Sequence, residues 1–285
     1  MYNRLVEGLF ETKALRISPE DKPFWYTSGK LGPFYINTHF LYGSEEKATN
    51  LLKIIDDGKS DSKTLHQTLF KEIMSNYEND AIFHSLINDM VSYIKDNIDM
   101  SEISYISGGE RRDWFFSMPV AELLKIKHIT IFKDLSMAVC QSGELCGENS
   151  LKNVSGSKVL HIADLITEAS SYERAWVPAI KYLGAEISHS LVVIDRNQGG
   201  KELLEKLNVK SHALCGIDYK LFVKALELGC INKAQYAMVN EYLENPDGAM
   251  KNFIKTHPGF LEGELNSDEK TAQRAKLCIE KGFYN

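Results

Sequence analysis

Between residues 100 and 217 short apolar runs alternate with stretches of helical period. The runs 103–106, 128–132, 159–162 and 191–194 are rich in Ile, Val and Leu and read as strands buried on both faces. Helical patterns at 114–124 and 171–183 separate the first from the second and the third from the fourth. Strands joined by crossover helices imply an α/β fold, a parallel sheet with right-handed connections. The link 134–157 breaks this alternation: it holds Gly143, Gly147, Gly156 and several serines but no helical period. A connection of that length inside a domain is expected to be a mobile loop closing over a site, with an exposed insert as the bland alternative.

On either side the pattern changes. An amphipathic helix is expected at 4–13, then a strand with a tight bend at 24–35, punctuated by Gly29, Gly32 and Pro33. From 45 to 97 apolar positions such as Leu69, Ile73, Ile87, Met90, Val91 and Ile94 recur at helical spacing, with a polar interruption at 56–63. After Asp218 four helical patterns (219–228, 233–243, 249–255, 267–281) are parted by Asn245-Pro246-Asp247-Gly248 and His257-Pro258-Gly259 turns. The expected division is a helical N-terminal region with its leading segment (1–100), an α/β core (101–217) and a helical C-terminal appendage (218–285).

Composition narrows the class. The 285 residues are 44% hydrophobic and 25% charged, at globular averages, and no run reaches the roughly 18–20 apolar residues of a membrane span. A net charge of −6 leaves no surplus for wholesale binding to nucleic acid or to an anionic membrane. Five scattered cysteines suit free thiols in a reducing, cytoplasmic setting rather than a disulfide framework, and the Cys140–Cys146 spacing matches no familiar zinc site.

The chemistry gathers where the strands end. Run 159–162 leads into Ala163-Asp164-Leu165-Ile166-Thr167-Glu168-Ala169-Ser170-Ser171. Ligands of open parallel sheets lie beyond the carboxyl ends of strands, so Asp164 is placed to face one. Thr167, Ser170 and Ser171 crowd a helix start, whose free N–H groups favour a phosphate. The same serines could merely cap the helix, since Ser170 with Glu173 fits a capping box. Pro178 is expected to kink that helix. Run 103–106 enters Ser107-Gly108-Gly109-Glu110-Arg111-Arg112-Asp113, where glycines admit close approach of an anion and arginines offer forked donors. A third run ends at Lys133 and a fourth in Asp195-Arg196-Asn197-Gln198-Gly199-Gly200. His128, His161 and His189 read as core or edge histidines, and Phe24, Trp25 and Tyr26 as packing.

These loops resemble those of the type I phosphoribosyltransferases, and of the orotate subfamily in particular. Residues 163–171 are similar to the loop that binds phosphoribosyl pyrophosphate (PRPP), residues 28–37 to that subfamily's N-terminal substrate segment, and 195–200 to its Asp-Arg-x-x-Gly-Gly stretch. Lys133 falls where the family places a PRPP-contacting lysine. The resemblance implies that Asp164 meets the ribose hydroxyls and, indirectly through PRPP, Mg²⁺, and that Thr167, Ala169, Ser170 and Ser171 cradle the 5′-phosphate. It implies a pyrophosphate loop at Ser107, Gly108, Gly109, Arg111 and Arg112, and a substrate side holding Lys30, Tyr35 and Arg196, the last two gripping the base. A cytoplasmic homodimer that moves phosphoribosyl from PRPP to orotate or a related base, releasing pyrophosphate, is the expectation; the alternative is a catalytically weak PRPP- or nucleotide-binding regulatory or assembly protein. The chain departs from the family pattern at Ala163, where a first acid is usual, and at Thr27, Phe132, Ser136, Ala138 and Ala169.

Overall fold

The computed structural model describes residues 2–147 and 149–284. In chain order its elements are helix α1 (Tyr2–Glu11), strands β1 (Leu15–Ile17), β2 (Phe24–Trp25), β3 (Leu31–Gly32) and β4 (Phe34–Ile36), and helices α2 (Glu45–Gly58), α3 (Ser62–Asn79) and α4 (Ala81–Asn97). There follow β5 (Ile103–Gly109), α5 (Trp114–Leu124), β6 (Lys127–Ile131), β7 (Met137–Gln141), β8 (Glu144–Leu145), β9 (Lys158–Ile166), α6 (Val177–Tyr182), β10 (Glu186–Asp195), α7 (Gly200–Lys206) and β11 (Lys210–Gly216). Helices α8 (Tyr219–Glu227), α9 (Lys233–Glu244), α10 (Pro246–Thr256), α11 (Phe260–Leu265) and α12 (Glu269–Glu280) complete the chain.

The packing sorts these elements into two units, and not in chain order. The first takes the chain up to Lys13 and Thr38–Ile217; the second takes Ala14–Asn37 with the chain from Asp218. Segment 14–37 parts from the rest of the N-terminal region because its strands find partners elsewhere. β1 pairs antiparallel with β4 (Arg16↔Tyr35), and the β2–β3 hairpin sets Trp25 and Leu31 against Ala249, Met250, Ala275 and Cys278. Trp25 Nε1 donates to Glu264 at 2.6 Å, and Tyr284 accepts the Leu31 N–H at 2.9 Å.

In the first unit the sheet order is β11-β10-β9-β5-β6-β7-β8. The five strands from β11 to β6 pair parallel, as expected of runs whose residues are buried on both faces: Val159, Leu160, Ile162, Leu191, Val192, Val193 and Ile194 are all covered. Two of the strands run past their apolar cores, β5 to Gly109 and β9 to Ile166, so that Ser107, Gly108, Gly109, Ala163 and Asp164 are strand residues.

The link after β6 corrects the expectation of an irregular loop. β7 and β8 form an antiparallel hairpin that extends the sheet, with Val139 and Cys140 buried. It turns at Ser142-Gly143, both at positive φ (49° and 80°), as a two-residue hairpin requires. The Ser-Gly pair was the available signal, easily lost in a glycine- and serine-rich stretch.

Helix α5 forms where the apolar pattern put it and buries Trp114, Phe115, Phe116 and Val120. The next helix opens as one π-turn, Tyr172–Trp176, in which the Val177 N–H reaches back to the Tyr172 carbonyl. Pro178 has no N–H for the ladder, and the wide turn just before it absorbs the mismatch. Ser171 precedes this turn without a side-chain cap bond, and the Glu173 N–H goes to the Ala169 carbonyl at 3.3 Å rather than to the Ser170 hydroxyl, so the Ser170–Glu173 capping box is not made.

Candidate functional site

The connections from β5 through α5 to β6 and from β9 through α6 to β10 lead to opposite sides, so the strand order switches direction between β5 and β9. Open α/β sheets bind ligands at such a point, beyond the strand ends. There the structure holds a cleft of about 330 Å³ lined by residues 110–113, 163–172 and Trp176. Arg111, Arg112, Asp164, Thr167, Ala169, Ser170 and Ser171 are thereby brought together from two separate stretches of sequence.

One wall of the cleft is the loop that follows β9. Ala169 adopts φ +55°, a left-handed conformation unusual for a residue with a Cβ, and its carbonyl receives the N–H of Tyr172 at 2.9 Å. That bend starts the helix and leaves Thr167, Ser170 and Ser171 lining the cleft beside the first N–H groups. The loop after β10 lies against it: the Arg196 N–H donates to the Ile166 carbonyl at 2.9 Å, and a Cβ on Gly200 would come within 2.7 Å of the Thr167 carbonyl. The Arg196 Nε is buried and has no hydrogen-bond partner among the described residues.

Asp164 sits in the cleft wall with only 8% of its surface exposed. Burial, then the charge of Asp113, pushes its carboxyl up to about 7, with Arg112 pulling the other way. Asp113 is the carboxylate beneath. It accepts the N–H of Gly109 (3.1 Å) and of Asp164 (3.1 Å), and His161 Nε2 lies 3.7 Å away. His161 Nδ1 shares a hydrogen with Ser107 Oγ at 2.9 Å, and the ring stacks on Trp176. Ser107, His161 and Asp113 have the composition of a hydrolytic triad, but the serine is wholly buried and no acyl substrate can reach it.

The residues at the end of β5 and in the turn after it are placed less uniformly. Ser107 is engaged by His161 in the sheet interior. A Cβ on Gly108 would meet Ser117 Oγ at 2.2 Å, and one on Gly109 would meet the Trp176 ring at 2.3 Å, so side-chain packing already claims both glycines. Arg111 is ion-paired with Asp56 at the end of α2; Asp56 also holds Lys59 (2.8 Å), which reaches Glu110 (2.7 Å). Arg112 is exposed and makes no ion pair among the described residues. Burial and these two arginines hold the nearby His39 ring neutral, at about 3.

Ser107, Gly108, Gly109 and Arg196 are not in the cleft lining, and neither are Lys133, Lys30 and Tyr35. Lys133 is exposed just beyond β6, its N–H donating to Glu110 at 2.9 Å. Lys30 and Tyr35 belong to the second unit, where Lys30 pairs with Asp247 at 2.8 Å and Tyr35 packs edge-on against Phe24 with Arg16 over its ring. Sequence reasoning passed over Asp113, His161 and His39 as site residues. Asp113 had one visible signal, a lone acid after two arginines at a helix start; the histidines had none.

A switch-point cleft lined by a carboxylate, hydroxyls, a helix start and an arginine marks an α/β protein with a donor set suited to an anionic, hydroxyl-bearing ligand. Comparison with known proteins makes this specific. An adenine phosphoribosyltransferase of Blochmanniella floridana is 30% identical over 156 residues, covering 51% of this chain and 82% of the relative. An orotate phosphoribosyltransferase of Saccharolobus solfataricus is 40% identical over 62 residues, 22% of this chain and 31% of the relative. Among solved structures, the UMP synthase of Leishmania donovani matches with a TM-score of 0.57 at 17% identity, covering 85% of this chain and 42% of that one. The orotate phosphoribosyltransferase of Francisella tularensis matches at 0.54 and 12% identity, covering 84% and 96%. No family model matches the chain. The chain belongs to the type I phosphoribosyltransferase family.

Proposed function

We propose that the protein transfers the phosphoribosyl group of PRPP to a ring nitrogen of a base, orotate or a relative of it, releasing pyrophosphate. The observation that carries this reading is the cleft itself, which joins Asp164, the 167–171 loop and Arg112 at the switch point of the sheet. The N–H groups of the helix start and the hydroxyls of Thr167, Ser170 and Ser171 take the 5′-phosphate. Asp164 accepts from the ribose hydroxyls, and Arg112 steadies the charge that grows on pyrophosphate as the C1–O bond breaks and the N–C1 bond forms. The departing electron pair goes to the pyrophosphate oxygen, and the base gives its proton to solvent. The donor set suits Mg²⁺ carried in on PRPP, because a hard cation that keeps most of its shell from water and substrate oxygens asks little more of the protein than Asp164; when bound it neutralises phosphate charge. No described helix is long and apolar enough to cross a membrane, and we take the enzyme to act as a cytoplasmic homodimer.

Two observations favour a second reading, a PRPP-binding regulator with weak turnover: Ala163 stands where the family has an acid, and Arg111 is held by Asp56. Isothermal titration with PRPP and Mg²⁺ is expected to show binding that ribose 5-phosphate competes away; no heat and no competition rule out both readings. Pyrophosphate release across a panel of bases then separates them, turnover supporting the transferase and binding without turnover the regulator.

A further inference from the structure

The β5–β9 ladder ends at the pair Ser107↔His161, yet β5 continues to Gly109 and β9 to Ile166. Past that pair the strands fork, and the cleft opens in the fork. Two N–H groups, on Gly109 and Asp164, turn there to one carboxylate instead of to each other's strand. Asp113 supplies it, with each oxygen taking one N–H at 3.1 Å. It also occupies the N-cap position of α5 but makes no side-chain cap bond, so its carboxylate is committed to the fork rather than to its own helix. His161 Nε2 lies 3.7 Å from it, the His161 ring in turn stacks on Trp176, and the Asp113 side chain is only 12% exposed. Although Ala163 lacks a carboxyl, an acid therefore still stands beside Asp164, delivered from the turn that joins β5 to α5.

We propose that Asp113 is a positioning residue for phosphoribosyl transfer: by pinning Gly109 and Asp164 to one carboxylate it fixes the spacing between the pyrophosphate side and the sugar side of the cleft. The inference rests on the PRPP reading of the site, because only a ligand that spans both sides feels that spacing. Ribose 5-phosphate uses one side and pyrophosphate the other, and each is indifferent to the distance between them. Misplacement of two reacting halves by about 1 Å can cost on the order of a hundredfold, so the effect is measurable.

The test is isothermal titration of the full chain, with Mg²⁺ present, using PRPP, ribose 5-phosphate and pyrophosphate as three separate probes. For Asp113→Asn, which keeps one acceptor oxygen, PRPP is expected to bind about tenfold more weakly; for Asp113→Ala the loss is about a hundredfold. Both half-ligands should change by less than about threefold in either variant, a split that a general loss of structure does not produce. Unchanged PRPP affinity, or a loss matched by one half-ligand, overturns the proposal. A wild-type protein that binds no PRPP overturns the functional reading and this inference with it, a result distinct from a wild type that binds PRPP as its variants do. If the variants do not fold, amide exchange of the wild type decides: the Gly109 and Asp164 N–H groups should open together and gain protection together on PRPP binding, and independent opening refutes the coupling.

Discussion

The two loops that line the cleft start from the same ingredients and spend them differently. Each follows a buried parallel strand, and each brings small residues and polar side chains to the strand's end. After β9 Thr167, Ser170 and Ser171 line the cleft, and the backbone bends at Ala169 just before the helix start. After β5 Ser107 is taken by His161, Gly108 by Ser117, Gly109 by Trp176 and Arg111 by Asp56, which leaves Arg112 in the cleft lining with no ion pair among the described residues. The lesson is that a motif's residue types show what it can do, whereas the neighbours show which of its groups are still available.

This contrast can be broken or sharpened by substitution. The largest effect is expected at Asp164, which stands between the loops. Asp164→Asn removes a charged acceptor worth about 1.5–3 kcal/mol per hydrogen bond and should weaken PRPP binding by about a hundredfold in titration calorimetry. Its stability effect has the opposite sign. Because burial and Asp113 raise the carboxyl from 3.8 to about 7, the folded state holds the proton more tightly than the unfolded chain. That contribution is full below the unfolded value and is lost as pH rises through about 7. Melting curves of wild type and Asp164→Asn should therefore converge near pH 4 and separate in the variant's favour toward pH 8; a constant difference would show that Asp164 is not the buried acid described here.

Next comes Gly109→Ala, whose new methyl meets the Trp176 ring. It is expected to lower stability by about 1–3 kcal/mol in denaturant titrations, as overpacking does, whereas Thr167→Ala should change stability by less than about 0.5 kcal/mol while weakening PRPP binding. Equal stability losses at the two positions would erase the difference between the loops. Ala169→Gly relieves a left-handed backbone that costs a residue with a Cβ about 1–2 kcal/mol, part of which returns as the greater freedom of glycine in the unfolded chain; a net stability gain of about 0.5–1 kcal/mol is expected in the same denaturant titrations. The smallest effect is at Asp56. Its pair with Arg111 is well exposed, so Asp56→Ala should cost about 0.5 kcal/mol or less, but PRPP affinity should rise two- to threefold, by about 0.5 kcal/mol, as Arg111 is released.

Much of this was legible in the chain. The parallel core could be read because strands buried on both faces need continuous apolar runs, and the runs at 159–162 and 191–194 are of that kind. The place of Thr167, Ser170 and Ser171 in the cleft lining could be read because hydroxyls and a helix start follow a buried strand within a few residues. The β7–β8 hairpin was missed because its strands are short and one sits at the sheet edge, where apolar patterning is weak. The grouping of 14–37 with the tail was missed because pairing across some two hundred residues leaves no local periodicity.

What the sequence determined by itself is therefore local: which segments are strands or helices, and that the segment from Val159 to Ser171 ends in hydroxyls at a helix start. Backbone propensity and burial period act over a few residues and can be read over a few residues. The tertiary structure alone decided the use of each group. Asp113 reads as an ordinary charged residue before a helix, and becomes the pin between two strands only because α5 and the fork of β5 and β9 bring its carboxylate to the N–H groups of Gly109 and Asp164. Hydrogen bonds and desolvation depend on neighbours in space, and for Asp113 and Asp164 those neighbours lie fifty residues apart along the chain.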